Sequence, residues 1–300
     1  MSKTLIGIVT FGNLSFTKLT YRSIKETTDD LDIYIIIGKG DLETENWVIE
    51  KSIPYKIHPE NLGFPASIND IYDYTWKENN YDYYIAIGND VISYPHSINN
   101  LISIADSTDY EWICGREISV KTLCNLFPET RSFFKGDDYI FTDFDSRPWE
   151  YYKRNGDYPL FDMAGLSDVH NLSLYKKSIF DKIGYIDTNF YPAYYEDNDY
   201  ARRGINAKIK SCTSLNSVYF HFWSRTIKQG SGGSTSKYFN LNKQFYITKW
   251  GGDFGSEKYK IPFNEKEYSL TNNIILQPNL KIEDRKDEYK IIKYWKNTGK

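Results

Sequence analysis

The sequence predicts an α/β protein built on a mostly parallel central sheet with helices on both faces. Three observations carry that prediction. Short apolar runs rich in β-branched residues recur through the first hundred residues. Stretches with helical spacing of apolar side chains separate them. Breaks rich in Gly, Asn and Asp follow the runs directly, where open α/β sheets place their ligands.

The elements follow in order. Leu5 to Phe11 has the pattern of a buried strand, Asn13 and Ser15 are turn and cap types, and about Phe16 to Thr27 reads as a helix with Leu19 and Ile24 on one face. Asp32 to Ile37 is a second strand, closed by Gly38-Lys39-Gly40. Thr44 to Lys51 reads as a short helix and Tyr55 to His58 as a third strand. Asn61-Leu-Gly-Phe-Pro65 breaks the pattern, and about Pro65 to Asn79 returns to helical spacing through Ile68, Ile71, Tyr72 and Trp76. Tyr81 to Ile87 is a fourth strand, ended by Gly88-Asn89-Asp90, and Trp112 to Val120 is a further strand. Phe127 to Asp162 has no clean period; irregular chain of that length in a compact domain points to function. Asn171 to Ile183 reads as strand then helix, Tyr195 to Gly204 as helix, Lys208 to Phe222 as strand and Tyr238 to Trp250 as helix. Gln229 to Ser236 is a flexible Gly/Ser loop by composition, and Lys281 to Lys300 a charged tail. No internal repeat is found.

Composition narrows the class. The 300 residues carry 37 Lys plus Arg against 40 Asp plus Glu, a net charge of −3 that gives no support for a globally basic nucleic-acid binder. An aromatic content of 17%, with 27 Tyr, is incompatible with intrinsic disorder. A mean hydropathy of −0.58 without a long apolar run argues against a transmembrane span. No secretory signal precedes the first strand, and Cys114, Cys124 and Cys212 lack metal or disulfide spacing. The expectation is a soluble, cytoplasmic protein whose cysteines are small buried hydrophobes. Only four His argue against a multi-histidine metal site.

Three clusters carry chemistry-bearing residues. Neither a Gly-x-Gly-x-x-Gly fingerprint nor a phosphate loop ending in Gly-Lys-Ser/Thr is present, which leaves a nicotinamide enzyme or P-loop ATPase poorly supported. Asp90 stands just past a buried strand, as an oxygen ligand for a hard cation would; Asn89-Asp90 is equally a turn dipeptide. Glu196 and Asp197 fall at a helix start, where one could act as a general base or both could serve the helix dipole. Asp199 and Arg203, four apart, have the spacing of an ordinary helix pair. His221 ends a strand-like run among aromatics and precedes Ser224, Arg225 and Lys228, types that suit a diphosphate or simply a solvated linker.

Order and spacing of these pieces resemble family 2 glycosyltransferases of the Rossmann-like GT-A fold, of rhamnosyltransferase type, over about residues 4 to 252. Ile6-Gly-Ile-Val-Thr-Phe-Gly-Asn13 looks like the family's first nucleotide-contacting strand, and Asn61-Leu-Gly-Phe-Pro-Ala-Ser-Ile-Asn69 is similar to its Asn-x-Gly-Phe...Asn segment. Ile87-Gly-Asn-Asp90 stands where the family carries Asp-x-Asp, and Leu174 to Asp187 looks like the stretch before the acceptor site. Glu196-Asp-Asn-Asp199 with Arg203 matches the Glu-Asp-x-Asp...Arg helix, His221 follows at the family's distance, and Phe245-Tyr-Ile-Thr-Lys-Trp-Gly251 resembles the closing helix.

The resemblance implies an inverting sugar transfer from a nucleotide-sugar of UDP or dTDP type to a glycan, lipid-linked or protein acceptor. Asp197 would be the general base, with Glu196 and Arg203 orienting it and bracing its helix. Asp90 and His221 would hold manganese or magnesium. Thr10, Phe11, Asn13, Gly38, Asn61, Gly63, Asn69, Asn89 and Arg225 would contact the nucleotide-sugar. Residues 1–110 would form the nucleotide-binding half, 111–252 the acceptor half and 253–300 a C-terminal extension. Two positions depart from the pattern: Gly38 replaces an acid that touches the base or ribose, with Asp41 three residues on, and Gly88 replaces the first carboxylate of Asp-x-Asp. Two other readings keep the fold. One is a phage-type transferase acting on modified DNA, with Arg147, Lys153 and Arg154 or the Lys-rich tail as basic patches. The other is a non-catalytic sugar- or nucleotide-binding module.

Overall fold

The structure, a computed structural model, describes residues 2–28, 30–38, 41–118, 134–135, 138–139, 171–222 and 237–264. The irregular stretch from Phe127 to Asp162 (four backbone-paired residues aside), the Gly/Ser loop with Arg225, the basic residues Arg147, Lys153 and Arg154, Cys124, and the tail from Lys281 lie outside the described residues.

Ten strands and seven α-helices are described: β1 (Thr4–Thr10), α1 (Leu14–Thr27), β2 (Asp32–Ile37), α2 (Leu42–Glu50), β3 (Tyr55–Ile57), α3 (Phe64–Tyr72), β4 (Tyr83–Gly88), β5 (Val91–Ser93), α4 (Ser97–Ser107), β6 (Trp112–Ile118), β7 (Phe134–Lys135), β8 (Asp138–Tyr139), β9 (Leu172–Lys176), α5 (Lys177–Ile183), α6 (Glu196–Asn206), β10 (Ser211–His221) and α7 (Lys237–Trp250). A π-helical turn, Asp73–Glu78, extends α3.

Eight strands form one mixed sheet in the order β3-β2-β1-β4-β9-β6-β10-β5; β7 and β8 pair separately. β3, β2, β1 and β4 are mutually parallel, as the sequence predicts. The second half is less parallel than predicted. β9 enters between β4 and β6 antiparallel to both, and β5 lies antiparallel on β10. Neither β5 nor α4 is visible in the apolar pattern, because β5 is three residues long and offers no period to read.

Central strands are buried on both faces, so their sequences read as unbroken apolar runs. Alternate residues then feed two cores. On one face Ile6, Ile8, Ile35, Ile85 and Ile87 pack with Ile24 of α1, Trp47 of α2 and Leu101 of α4. On the other, Leu5, Ile36, Tyr84, Trp112 and Tyr175 pack with Ile71 of α3, Ile179 of α5 and Tyr200 of α6. Many of the Tyr are therefore core residues, and Tyr72, Tyr84, Tyr175 and Tyr200 form one ring cluster. Cys114 and Cys212 are buried and in no disulfide, and burial pushes the Cys212 thiol up to about 11.

A third core, Phe190, Tyr195, Leu241, Phe245, Tyr246 and Trp250, lies under α7. The segment entering α6 is tied to the first half of the chain at Gly63. Phe64 N–H donates to Pro192 O at 2.7 Å, and a Cβ on Gly63 would stand 2.9 Å from the Tyr191 ring and 3.0 Å from Pro192 O. Gly63 also has φ +83°, which L side chains disfavour. Gly63→Val is expected to destabilise the fold by about 2 kcal/mol or more, through strain and overpacking together. Urea unfolding with an unchanged m-value checks it; a midpoint equal to wild type would contradict the docking role.

Candidate active site

Topology collects the site. β1, β2, β3, β4, β6 and β10 run in one direction, so their carboxyl ends share an edge of the sheet. Thr10, Gly38, Gly88 to Asp90 and His221 all stand there. β9 runs the other way, so Asn171, just before it, lies at that edge too.

Asp90 and His221 meet because β5 pairs with β10. The register sets Val91 opposite His221, and Phe222 N–H donates to Asp90 O at 2.9 Å. Asp90 Oδ1 is consequently 3.2 Å from His221 Nε2. The other ring nitrogen, Nδ1, lies 3.1 Å from Asn171 Nδ2 and 4.0 Å from Glu117 Oε2. Burial disfavours the imidazolium, but the carboxylates of Asp90 and then Glu117 outweigh it and raise the His221 pKa. Among the described residues no group of three or more His, Cys, Asp and Glu is arranged to hold a metal ion. The donors present are one carboxylate oxygen and one imidazole nitrogen, a set that suits manganese or magnesium with phosphate oxygens and water completing the shell.

The residues expected at the nucleotide divide into two groups. Thr10, Phe11, Asn13, Gly38 and Asn89 gather at the ends of β1, β2 and β4. Asn89 is buried and its Nδ2 donates to Thr17 Oγ1 at 3.2 Å, locking β4 to α1. Asn13 adopts a left-handed φ of 60°, and its buried Nδ2 has no partner among the described residues. Phe11 is 38% exposed, and its ring occupies the side-chain space of Gly38, where a Cβ would come within 2.3 Å. Asp41 does not replace the missing acid. Its carboxylate caps α2 through Thr44 N–H at 3.1 Å and accepts from Gly12 N–H at 3.1 Å.

The second group makes contacts near the chain that leads into α6. Asn61 Oδ1 accepts from Gly63 N–H at 3.0 Å, shaping the turn that receives Pro192. Both polar atoms of the Asn69 amide are spent on Ile186, donating to its O and accepting from its N–H at 2.8 Å each. These two side chains join halves of the molecule rather than the cluster at β1, β2 and β4.

At the start of α6, Tyr194 and Tyr195 both have positive φ, 81° and 68°, which is strained for aromatic residues. Asn242 of α7 holds them by donating to Ala193 O at 2.8 Å and Tyr194 O at 3.1 Å. Glu196 follows and is buried, with no partner for Oε2 among the described residues. Burial first, then the neighbouring Asp197, pushes its carboxyl well above the ordinary range, against the backbone amides of Glu196 and Tyr194. Asp197 is half-buried beside it.

Asp199 and Arg203 are not the surface pair that their spacing suggests. Both are fully buried, with Arg203 Nε 3.0 Å from Asp199 Oδ2. The guanidinium also donates to the carbonyls of Ile183 (2.6 Å) and Tyr185 (2.8 Å), so it braces α6 against the end of α5. Lys249 of α7 reaches Asp199 Oδ1 at 2.6 Å and Asp187 Oδ2 at 2.8 Å, and Trp250 Nε1 donates to Asp199 Oδ1 at 2.9 Å. The sequence reading assigns no partners to these residues: the Lys249-Trp250 pair ending α7 was the available signal for two of them, while Asp187, Glu117 and Asn171 are brought in only by tertiary pairing.

With this geometry in hand, comparison with known proteins is informative about the fold. No protein-family model matches the sequence, and no curated protein matches it. Among solved structures, the chain is similar to a mannosyltransferase from Pyrobaculum calidifontis in complex with GDP-mannose and Mn2+, at 9% identity and a TM-score of 0.50, covering 82% of this chain and 62% of that one. It is also similar to glucosyl-3-phosphoglycerate synthase from Mycobacterium tuberculosis in complex with Mn2+, UDP-glucose and phosphoglyceric acid, at 10% identity and a TM-score of 0.52, covering 85% and 81%. The chain thus spans less than two thirds of the first of these proteins. The fold is the GT-A fold of nucleotide-sugar-dependent glycosyltransferases. No helix among the described residues is long and apolar enough to cross a membrane.

The charge network behind α6 makes a testable demand. Lys249→Met would leave Asp187 and Asp199 buried without their shared cation, at an expected cost of about 3–5 kcal/mol in stability. Burial alone would raise the Asp199 pKa; Lys249 and Arg203 hold it below the ordinary value. Its stabilisation is therefore complete above the unfolded value of about 4 and is lost as pH falls through the lower folded value. Thermal melts from pH 7 to pH 2 should show a smaller acid-side loss in the variant than in wild type.

Proposed function

We propose that this chain is an inverting, cation-assisted glycosyltransferase, related to family 2 enzymes of rhamnosyltransferase type. It would move a sugar from a UDP- or dTDP-sugar to a hydroxyl of a glycan, glycolipid or protein. The observation that supports the proposal is the Asp90–His221 pair at the carboxyl edge of a sheet of GT-A type. The Asp90–His221 pair is set there by the β5–β10 register. The segment that leads into α6 is tied to the start of α3 by Phe64 N–H on Pro192 O.

In this mechanism Asp197 accepts the proton of the acceptor hydroxyl as its oxygen attacks the sugar's anomeric carbon from the face opposite the leaving group. The Glu196 carboxyl, pushed toward its neutral form, leaves Asp197 without a second anion in contact. Asn242 and the Arg203 brace fix the helix start, so the base is oriented before the acceptor arrives. Asp90 and His221 would hold manganese or magnesium, which supplies charge neutralisation of the departing nucleoside diphosphate. The exposed ring of Phe11 offers the nucleobase a stacking face where an acid at position 38 would have offered a hydrogen bond.

Screening nucleotide-sugars for hydrolysis and thermal shift, with and without manganese, tests the proposal; the expected result is a pyrimidine-nucleotide donor and a metal-dependent shift. A panel in which no donor binds under either condition would overturn it. Asp197→Asn should lower transfer by about 100-fold or more with donor affinity unchanged, read from initial rates and donor titration. Undiminished turnover would remove Asp197 from the reaction. Phe11→Ala should weaken donor binding by about 1–3 kcal/mol, the value of one base-stacking contact, in calorimetric titrations with the free nucleotide.

A further inference from the structure

Two side chains behind the His221 ring take no part in the proposed reaction. Glu117 and Asn171 flank Nδ1, on the side of the ring away from Asp90. Strand register sets both. Glu117 lies opposite Tyr219, two residues before His221 and hence on the same face of the sheet. Asn171 precedes β9 and accepts from Gly88 N–H at 3.2 Å, which fixes it beside the Asp90 turn.

An imidazole can give Nε2 to a cation only when its proton sits on Nδ1, and that proton needs an acceptor. Glu117 Oε2 is a carboxylate oxygen 4.0 Å from Nδ1, and the neighbouring Tyr219 hydroxyl hydrogen-bonds the Glu117 carboxylate. Asn171 at 3.1 Å supplies a second acceptor once its amide turns its oxygen toward the ring. Gly88 gives the arrangement its purpose. A Cβ there would stand 3.1 Å from the Asn171 side-chain amide and 3.3 Å from Asp90 Oδ1, so Asn171 is packed into the space beside residue 88 and is held close to the ring.

We propose that Glu117 and Asn171 are positioning residues that hold His221 as the Nε2-ligating tautomer for a divalent cation. A histidine whose second nitrogen donates to a carboxylate is a more basic ligand, and that gain offsets the loss of one charged ligand at Gly88. The inference rests on the assignment of Asp90 and His221 as the cation pair, and its test separates the two.

Mn2+ is titrated by electron paramagnetic resonance into the full chain, with and without UDP, for wild type, Glu117→Ala/Asn171→Ala, Glu117→Gln and Asp90→Ala. The double variant should bind Mn2+ about 10–100-fold more weakly than wild type, as loss of an outer partner of a ligating His does. Its metal-free affinity for UDP should be unchanged. Glu117→Gln, which keeps shape and an acceptor oxygen, should lose less and guards against a folding defect. With Mg2+ in place of Mn2+, long-range proton–nitrogen spectra should show His221 protonated at Nδ1 in wild type and a mixture of tautomers in the double variant. If Asp90→Ala abolishes Mn2+ binding while the double variant matches wild type within about twofold, the positioning role is overturned and the cation pair stands. If Asp90→Ala also binds Mn2+ as wild type does, both are overturned, whatever the donor screen shows.

Discussion

The second half of the molecule is organised around one carboxylate, that of Asp199. It receives Arg203 from its own helix, Lys249 and Trp250 from α7, and through Lys249 it is joined to Asp187. All four charged groups have no exposure to solvent. Such a network gains little over well-packed apolar side chains of the same volume, but it penalises every arrangement that leaves one charge unpaired. It therefore contributes registry. α6 can neither rotate nor slide against α7 without exposing a buried ion to apolar surroundings. The strained Tyr194–Tyr195 turn persists for the same reason, because both of its ends are fixed by elements that cannot shift independently.

The parallel half of the sheet is legible in the sequence because buried parallel strands advertise themselves. Leu5 to Phe11 and Asp32 to Ile37 are unbroken apolar runs, and their observed spans differ by a residue or so. The antiparallel members are not legible in the same way. Residues 172–176 read as a strand, but nothing in their composition says that they enter between β4 and β6 in the reverse direction. That choice is made by tertiary pairing. The same limit applies to the site. Asp90, His221 and the Glu196–Asp197 start are visible as residue types at strand and helix ends. The neighbours of His221, Glu117 and Asn171, lie tens of residues away or more and meet it only through strand register.

Asn61, Gly63 and Asn69 also serve the fold. Their spacing resembles a nucleotide-contacting segment, and Asn61 shapes the turn that accepts Pro192, while Asn69 clamps the backbone at Ile186. Both connections run from the first βα units to the chain that leads into α6. The ends of the first strands and the chain leading into α6 are thus joined by direct backbone and side-chain contacts.

The contact between Phe11 and Gly38 constrains how donor preference could change over evolutionary time. An acidic side chain cannot be regained at position 38 in one step, because its first carbon would overlap the Phe11 ring. Shrinking Phe11 first would remove this exposed ring before any hydrogen bond existed to replace it. The two solutions to holding a base, stacking and edge recognition, are therefore separated by an intermediate that has neither. On the proposed reading of Phe11, a change of nucleotide would need substitutions at both positions 11 and 38.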